Sequence, residues 1–135
     1  MTVLLDTCAV IWTAEGTLPD AARRSLEDAT GPEDPVLVSL ITAWEIGMLV
    51  SRGRLALSMD PPAWFEAVLA TERVEPVELS ASILIESSRL PSGAPNDPAD
   101  RIVLATARLN DWTVMTRDRT MLAYAEAGHV RAIPC

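Results

Sequence analysis

The feature that most constrains this chain is the alternation of short apolar runs with longer segments of helical spacing. Thr2–Leu5 is apolar and stops at Asp6. Val36–Val38 follows the turn-rich Gly31-Pro32-Glu33-Asp34-Pro35 stretch. Val74–Leu79, Thr113–Thr116 and Val130–Ile133 complete the strand candidates. Between them the pattern predicts helices over Pro19–Asp28, Leu40–Val50, Pro61–Glu72, Ser80–Arg89, Asp97–Leu109 and Arg119–Ala127, with a loop over Pro91–Pro98. Pro19 stands near the first position of its helix, where its missing N–H costs nothing. Ser39 and Ser80 are the expected N-caps of two others. Arg52 and Gly53 suit a helix end. Strand-then-helix units of this length imply a parallel sheet covered by helices on both faces. The expected architecture is α/β: a single domain over residues 1–135, an α/β/α sandwich around a central parallel sheet of four or five strands.

Hydrophobic residues make up 49% of the 135, ordinary for one globular core and too many for a disordered segment. The longest apolar stretch, Ile41–Val50, is broken by Thr42, Glu45 and Gly47. It is well short of the ~20 residues that span a bilayer. The N-terminus has no basic region and reaches an acid at Asp6, so no signal peptide is read there and a cytoplasmic location is expected. Cys8 and Cys135 form neither a disulfide framework nor a zinc ligand set. Cys8 is expected in a buried first turn as a small hydrophobe, and Cys135 is expected to fray. His129, the single histidine, reads as a surface or strand-edge residue, and no Cys–His pairing is visible.

The acids carry the chemistry. In parallel sheets ligands bind at the carboxyl ends of strands. Asp6 ends the first strand candidate and Asp118 follows the Thr113–Thr116 strand. Asp100 lies in the first turn of the Asp97–Leu109 helix, and Glu45 within a largely apolar one. Each has a plainer explanation. Asp6, Asp97 and Asp118 are good N-caps, and Asp100 at N3 suits the helix dipole. Glu45 is harder to dismiss, because a carboxylate flanked by Trp44, Ile46, Met48, Leu49 and Val50 needs a cation if buried. The chain has no lysine, so an arginine or a metal must serve. Hard oxygen donors suit Mg²⁺, and such sites suit phosphodiester hydrolysis.

The net charge of −8 opposes a nucleic-acid partner, but an acidic metal site accounts for part of it. A dinucleotide site would show G-x-G-x-x-G where Asp6-Thr7-Cys8-Ala9 stands. A receiver domain would need a lysine, and an aspartyl phosphatase a second acid at position 8, which is Cys.

Leu4-Leu5-Asp6-Thr7, Ala43-Trp44-Glu45-Ile46 with Gly53-Arg54-Leu55, Asp97-Pro98-Ala99-Asp100-Arg101 running into Ile102-Val103-Leu104-Ala105-Thr106-Ala107, and Thr116-Arg117-Asp118 resemble the PIN-domain family. Their order and spacing look like the VapC toxins of toxin–antitoxin pairs. The resemblance covers nearly the whole chain; Ala99 departs from it, since an aromatic residue often stands there in this subgroup. It implies Asp6, Glu45, Asp100 and Asp118 as an acidic quartet holding Mg²⁺ or Mn²⁺, with Thr7 and Thr116 orienting the ligands. It further implies cleavage of RNA, a homodimer, and a small VapB-like antitoxin. An antitoxin tail is expected in a groove between the helix bearing Glu45 and the helix bearing Trp64, Phe65, Val68 and Leu69, with an arginine reaching the acids. The alternative is that Trp64 and Phe65 pack on the chain's own core. A housekeeping RNA-processing nuclease, or an inactive binding domain on the same fold, stays open; the latter would be expected to lack one of the four acids.

Overall fold

Strand β1 (Val3–Leu5) lies at the centre of a five-stranded, all-parallel sheet of order β3-β2-β1-β4-β5. The computed structural model describes residues 1–135. The other strands are β2 (Val36–Ser39), β3 (Val74–Val77), β4 (Thr113–Thr116) and β5 (Arg131–Pro134). Seven helices join them: α1 (Thr7–Glu15) and α2 (Asp20–Ala29) before β2, then α3 (Ile41–Ser51) and α4 (Pro61–Leu69) before β3. Helices α5 (Ala81–Ser88) and α6 (Pro98–Asn110) precede β4, and α7 (Arg119–Glu126) precedes β5. The expected α/β/α sandwich is what forms. No helix is long and apolar enough to cross a membrane.

Alternate residues of the central strands divide between two core layers, as the strand period of two requires. Val3, Leu5, Val36, Val38 and Met115 pack with Val10 of α1, Leu26 of α2 and Trp64 and Val68 of α4. Leu4, Leu37 and Val114 pack with Ile83 of α5, Val103 and Leu104 of α6 and Met121 and Tyr124 of α7. Both faces of β1, β2 and β4 are buried, so these strands read as continuous apolar runs. β3 and β5 are the edges. β3 carries Pro76, which an edge strand tolerates because it need not donate on both sides.

Several boundaries shift for local reasons. α1, read from sequence only as a helix that Asp6 might cap, is complete: Asp6 Oδ1 accepts the Ala9 N–H at 2.9 Å, and Gly16 closes it at φ 71°. Ser39 is not the N-cap of α3. It is the last residue of β2, and its hydroxyl accepts the Ile41 N–H at 3.2 Å while Leu40 occupies the cap position. α4 stops at Leu69, short of Glu72, and Arg73 then turns the chain at φ 70° into β3. That residue's guanidinium ties the α2–β2 loop to β3 through the Gly31 and Asp34 carbonyls and the Thr30 hydroxyl. Ser80 caps α5 as expected, accepting from Ile83 N at 3.1 Å.

Both cysteine expectations are corrected. Cys8 is exposed, because Ala9 and Val10, not Cys8, face the core from α1. Cys135 does not fray: its N–H bonds the Thr116 carbonyl at 3.1 Å, and its side chain packs on the core beyond β5. His129 is half-buried in the turn before β5, stacked 4.5 Å from the Tyr124 ring.

Candidate active site

The strand order reverses direction at β1. The chain leaves β1 towards β2 and β3, then crosses back over β2 and β1 to place β4 on the other side of β1. The carboxyl ends of β1 and β4 therefore form the switch point at which parallel sheets open a crevice. Asp6 follows β1 directly, and the β1–β4 register, Leu5 opposite Met115, brings it beside Thr116.

Asp6 is 5% exposed and held on both oxygens. While Oδ1 caps α1, Oδ2 accepts the Thr116 hydroxyl at 2.5 Å. Capping and site membership, alternatives in the sequence, are satisfied by different oxygens of one carboxylate. Thr116 Oγ in turn accepts the Asp118 N–H at 3.0 Å, and Asp118 Oδ1 caps α7 through Met121 N at 2.9 Å. One buried hydroxyl thus sets two acids. Asp100 stands in the first turn of α6, its N–H bonded to Asp97 Oδ1 at 2.9 Å. Glu45 is half-buried on α3, with the Thr7 hydroxyl beside it. Thr7 Oγ also reaches Thr42 Oγ at 3.4 Å.

All four acids of the expected quartet line one cavity of about 520 Å³, together with Thr7, Cys8, Asp97, Arg117 and Arg119. None of the five carboxylates is in an ion pair; the chain's side-chain pairs are Arg23 with Asp20, Arg89 with Glu86 and Arg131 with Asp111. The electrostatic cost is visible in the acids themselves. Burial pushes the Asp100 carboxyl up to about 7, and Asp97, Glu45, Asp118 and Asp6 add to it. Asp6 is raised chiefly by burial, against the pull of the Thr116 and Ala9 hydrogen bonds. Glu45 is raised by burial and by Asp97, and the Thr7 hydroxyl opposes this. The Cys8 thiol, partly desolvated where it lines the cavity and faced by Asp6 and Glu45, is pushed up to about 11. Like charges held this close, none of them in an ion pair, would be relieved by a hard divalent cation.

No three of these side chains stand close enough to hold one ion directly. The arrangement fits an ion that keeps most of its water and takes one or two carboxylates, as Mg²⁺ does, and not a closed all-protein cage. Among the charged members of the cavity, Asp97, Arg117 and Arg119 were not read as site residues in the sequence. Asp97 was a cap only, although its spacing of three from Asp100 puts both in one helical turn. Arg117 had no signal beyond standing next to Asp118.

The expected anchors on α4 divide. Trp64 and Val68 are 6% and 8% exposed and belong to the core layer under α4. They are needed to cover the sheet, so they are not free surface anchors. Phe65 and Leu69 are half-buried and remain near the surface, while on α3 Trp44 is 49% exposed.

The PIN domain sequence profile matches residues 3–127. This chain belongs to the PIN domain family. It is 34% identical over 125 residues to Ribonuclease VapC22 of Mycobacterium tuberculosis (strain ATCC 25618 / H37Rv), covering 91% of this chain and 92% of that protein. Among solved structures, VapBC2 from Rickettsia felis bound to a promoter DNA fragment superimposes with a TM-score of 0.71. The identity is 16%, over 99% of this chain and 98% of that one. FitAcB from Neisseria gonorrhoeae gives 0.62 at 24% identity, over 98% and 96%. At these identities the structural neighbours establish the fold alone. Within the PIN domain, the four acids of the sequence motifs all reach the one cavity.

Proposed function

We propose that this PIN domain is a divalent-metal-dependent endoribonuclease acting as the toxin of a toxin–antitoxin pair, with Asp6, Glu45, Asp100 and Asp118 as its metal site. The observation that carries the reading is the convergence of four carboxylates, none in an ion pair, on the switch-point cavity. The 34% identity to a protein named as a ribonuclease supports the substrate class. VapBC complexes among the fold neighbours support the toxin role and a VapB-like antitoxin.

A Mg²⁺ or Mn²⁺ ion held by these acids would supply Lewis acidity for hydrolysis of the phosphodiester. The chain's own residues do the rest. Thr116 fixes the Asp6 carboxylate through one oxygen and the backbone of Asp118 through the other side of its hydroxyl. The N-caps of α1, α6 and α7 hold Asp6, Asp97 and Asp118 against rotation, which preorganises the site. Asp100 faces the same cavity from the first turn of α6 and Glu45 from α3, so a phosphate entering it meets ligands from separate elements of the fold. A VapB-like tail would compete by bringing an arginine to these acids. Its apolar contacts would fall on Phe65, Leu69 and Trp44, the surface left between α4 and α3.

Purified protein should cleave single-stranded RNA with Mg²⁺ or Mn²⁺ and stop with EDTA. Asp6→Asn and Asp100→Asn should each remove cleavage while circular dichroism stays unchanged. Full activity after metal removal, or wild-type rates in Asp100→Asn, would refute the assignment. Expression alone should arrest growth, and co-expression with the upstream neighbouring reading frame should relieve it; harmless expression would favour a housekeeping nuclease.

A further inference from the structure

Two arginines line the acidic cavity, and one of them is held in an unusual way. The Arg117 guanidinium carbon lies 4.2 Å from the centre of the Trp12 ring. Trp12 is half-buried on α1 and packs against the core layer containing Val10 and Ile11, so the platform is fixed. Stacking holds a guanidinium by its face and leaves the N–H donors, which lie in its plane, free to bond outward. Arg117 is exposed and forms no ion pair, although five carboxylates surround the same cavity. Its charge nonetheless reaches Asp6, whose carboxyl it pulls down against the effect of burial.

An arginine beside so many acids would be expected to fold onto one of them, and Trp12 holds this one aside. The position has a use. A chain of net charge −8 repels a polyanion, and attraction must then be local. Given the nuclease reading above, we infer that Arg117, stacked on Trp12, is a positioning residue that takes a backbone phosphate of the RNA beside the one being cleaved. Its fork matches two phosphate oxygens, and its rigid seat keeps that contact at a constant distance from the carboxylates.

The test uses the Asp100→Asn protein, which should bind RNA without cutting it, and a fluorescent single-stranded oligoribonucleotide of mixed sequence. Affinity is read by anisotropy over a series of NaCl concentrations with Mg²⁺ present. Adding Arg117→Gln should weaken binding about tenfold and flatten the slope of log K against log salt by about 0.7, the loss of one phosphate contact on a single strand. Arg117→Lys should restore the slope but not the full affinity, since charge returns without the fork or the stack. Trp12→Leu should weaken binding and keep the slope; Trp12→Phe, which keeps an aromatic face, should bind nearly as the parent does. In the active protein, Arg117→Gln should raise KM more than it lowers kcat. Unchanged affinity and slope in Arg117→Gln overturn the inference. So does tighter Mg²⁺ binding with RNA affinity intact, which would make Arg117 only a counter-charge to the acids. If the Asp100→Asn protein itself binds no RNA, the nuclease reading fails and takes this one with it.

Discussion

At the scale of single residues, the site is a set of carboxylates kept together against their own repulsion. Asp100 shows the cost most clearly, with its carboxyl raised from 3.8 to about 7. A raised acid holds its proton better in the folded chain than in the unfolded one. Its contribution to stability is complete below about 3.8 and is lost as pH rises through about 7. Metal-free Asp100→Asn should therefore be more stable than the parent at pH 8, by about 1–2 kcal/mol once solvent screening of a half-exposed group is discounted, and the difference should vanish near pH 4. Thermal melts in EDTA at the two pH values measure it; equal melting temperatures at pH 8 would deny the repulsion. Thr116 makes the opposite contribution. Thr116→Val removes the hydroxyl that serves both Asp6 and the Asp118 N–H in a fully buried position. The loss should cost about 1–3 kcal/mol in urea unfolding and about 10–100-fold in cleavage, with Thr116→Ser retaining most of both.

At the scale of elements, the helix starts do two jobs at once. α1, α6 and α7 each begin at an aspartate whose carboxylate accepts an N–H of the first turn, and all three aspartates line the cavity. The caps explain why acids are tolerated there before any metal binds, since helix N-termini favour negative charge. Asp97 separates the two roles. Asp97→Asn preserves the cap, because asparagine is as good an N-cap, but removes the charge that is the largest influence on Asp100 after burial. Stability should change by only a few tenths of a kcal/mol, and Asp100 should ionise at a lower pH than about 7. A carbon-detected NMR titration of the Asp100 carboxyl reads this directly, and no downward shift would mean that burial and the other acids set the value without Asp97.

For the whole molecule, part of the excess of acid is local. Five of the nineteen acidic residues, Asp6, Glu45, Asp97, Asp100 and Asp118, face one cavity. Any ion that binds the folded site and not the unfolded chain must stabilise the fold by mass action. Mg²⁺ at about a hundred times its dissociation constant should add about 2.7 kcal/mol, roughly 10 °C in melting temperature for a chain of this size. NaCl at matched ionic strength should do much less, and Asp100→Asn should blunt the Mg²⁺ effect. A melting curve indifferent to Mg²⁺ would count against the metal site.

The periodicity of the residues determined where most strands and helices run, because apolar alternation and capping act within a few residues. Thr113–Thr116 and the caps at Ser80 and Asp97 stand where the sequence put them. The four acids were legible for the same reason: each sits in its own short motif. What the tertiary structure decided is which residues meet. Asp6 and Thr116 are 110 residues apart and become partners only because the chain crosses over β2 and β1 to lay β4 beside β1. That crossover also chooses the buried face of every helix. It turned Trp64 and Val68 inward, left Cys8 outside, and set Arg117 over Trp12. A helical repeat tells which residues share a face, but the face that is buried is chosen by the sheet it must cover, and the order of that sheet is a property of contacts distant in sequence.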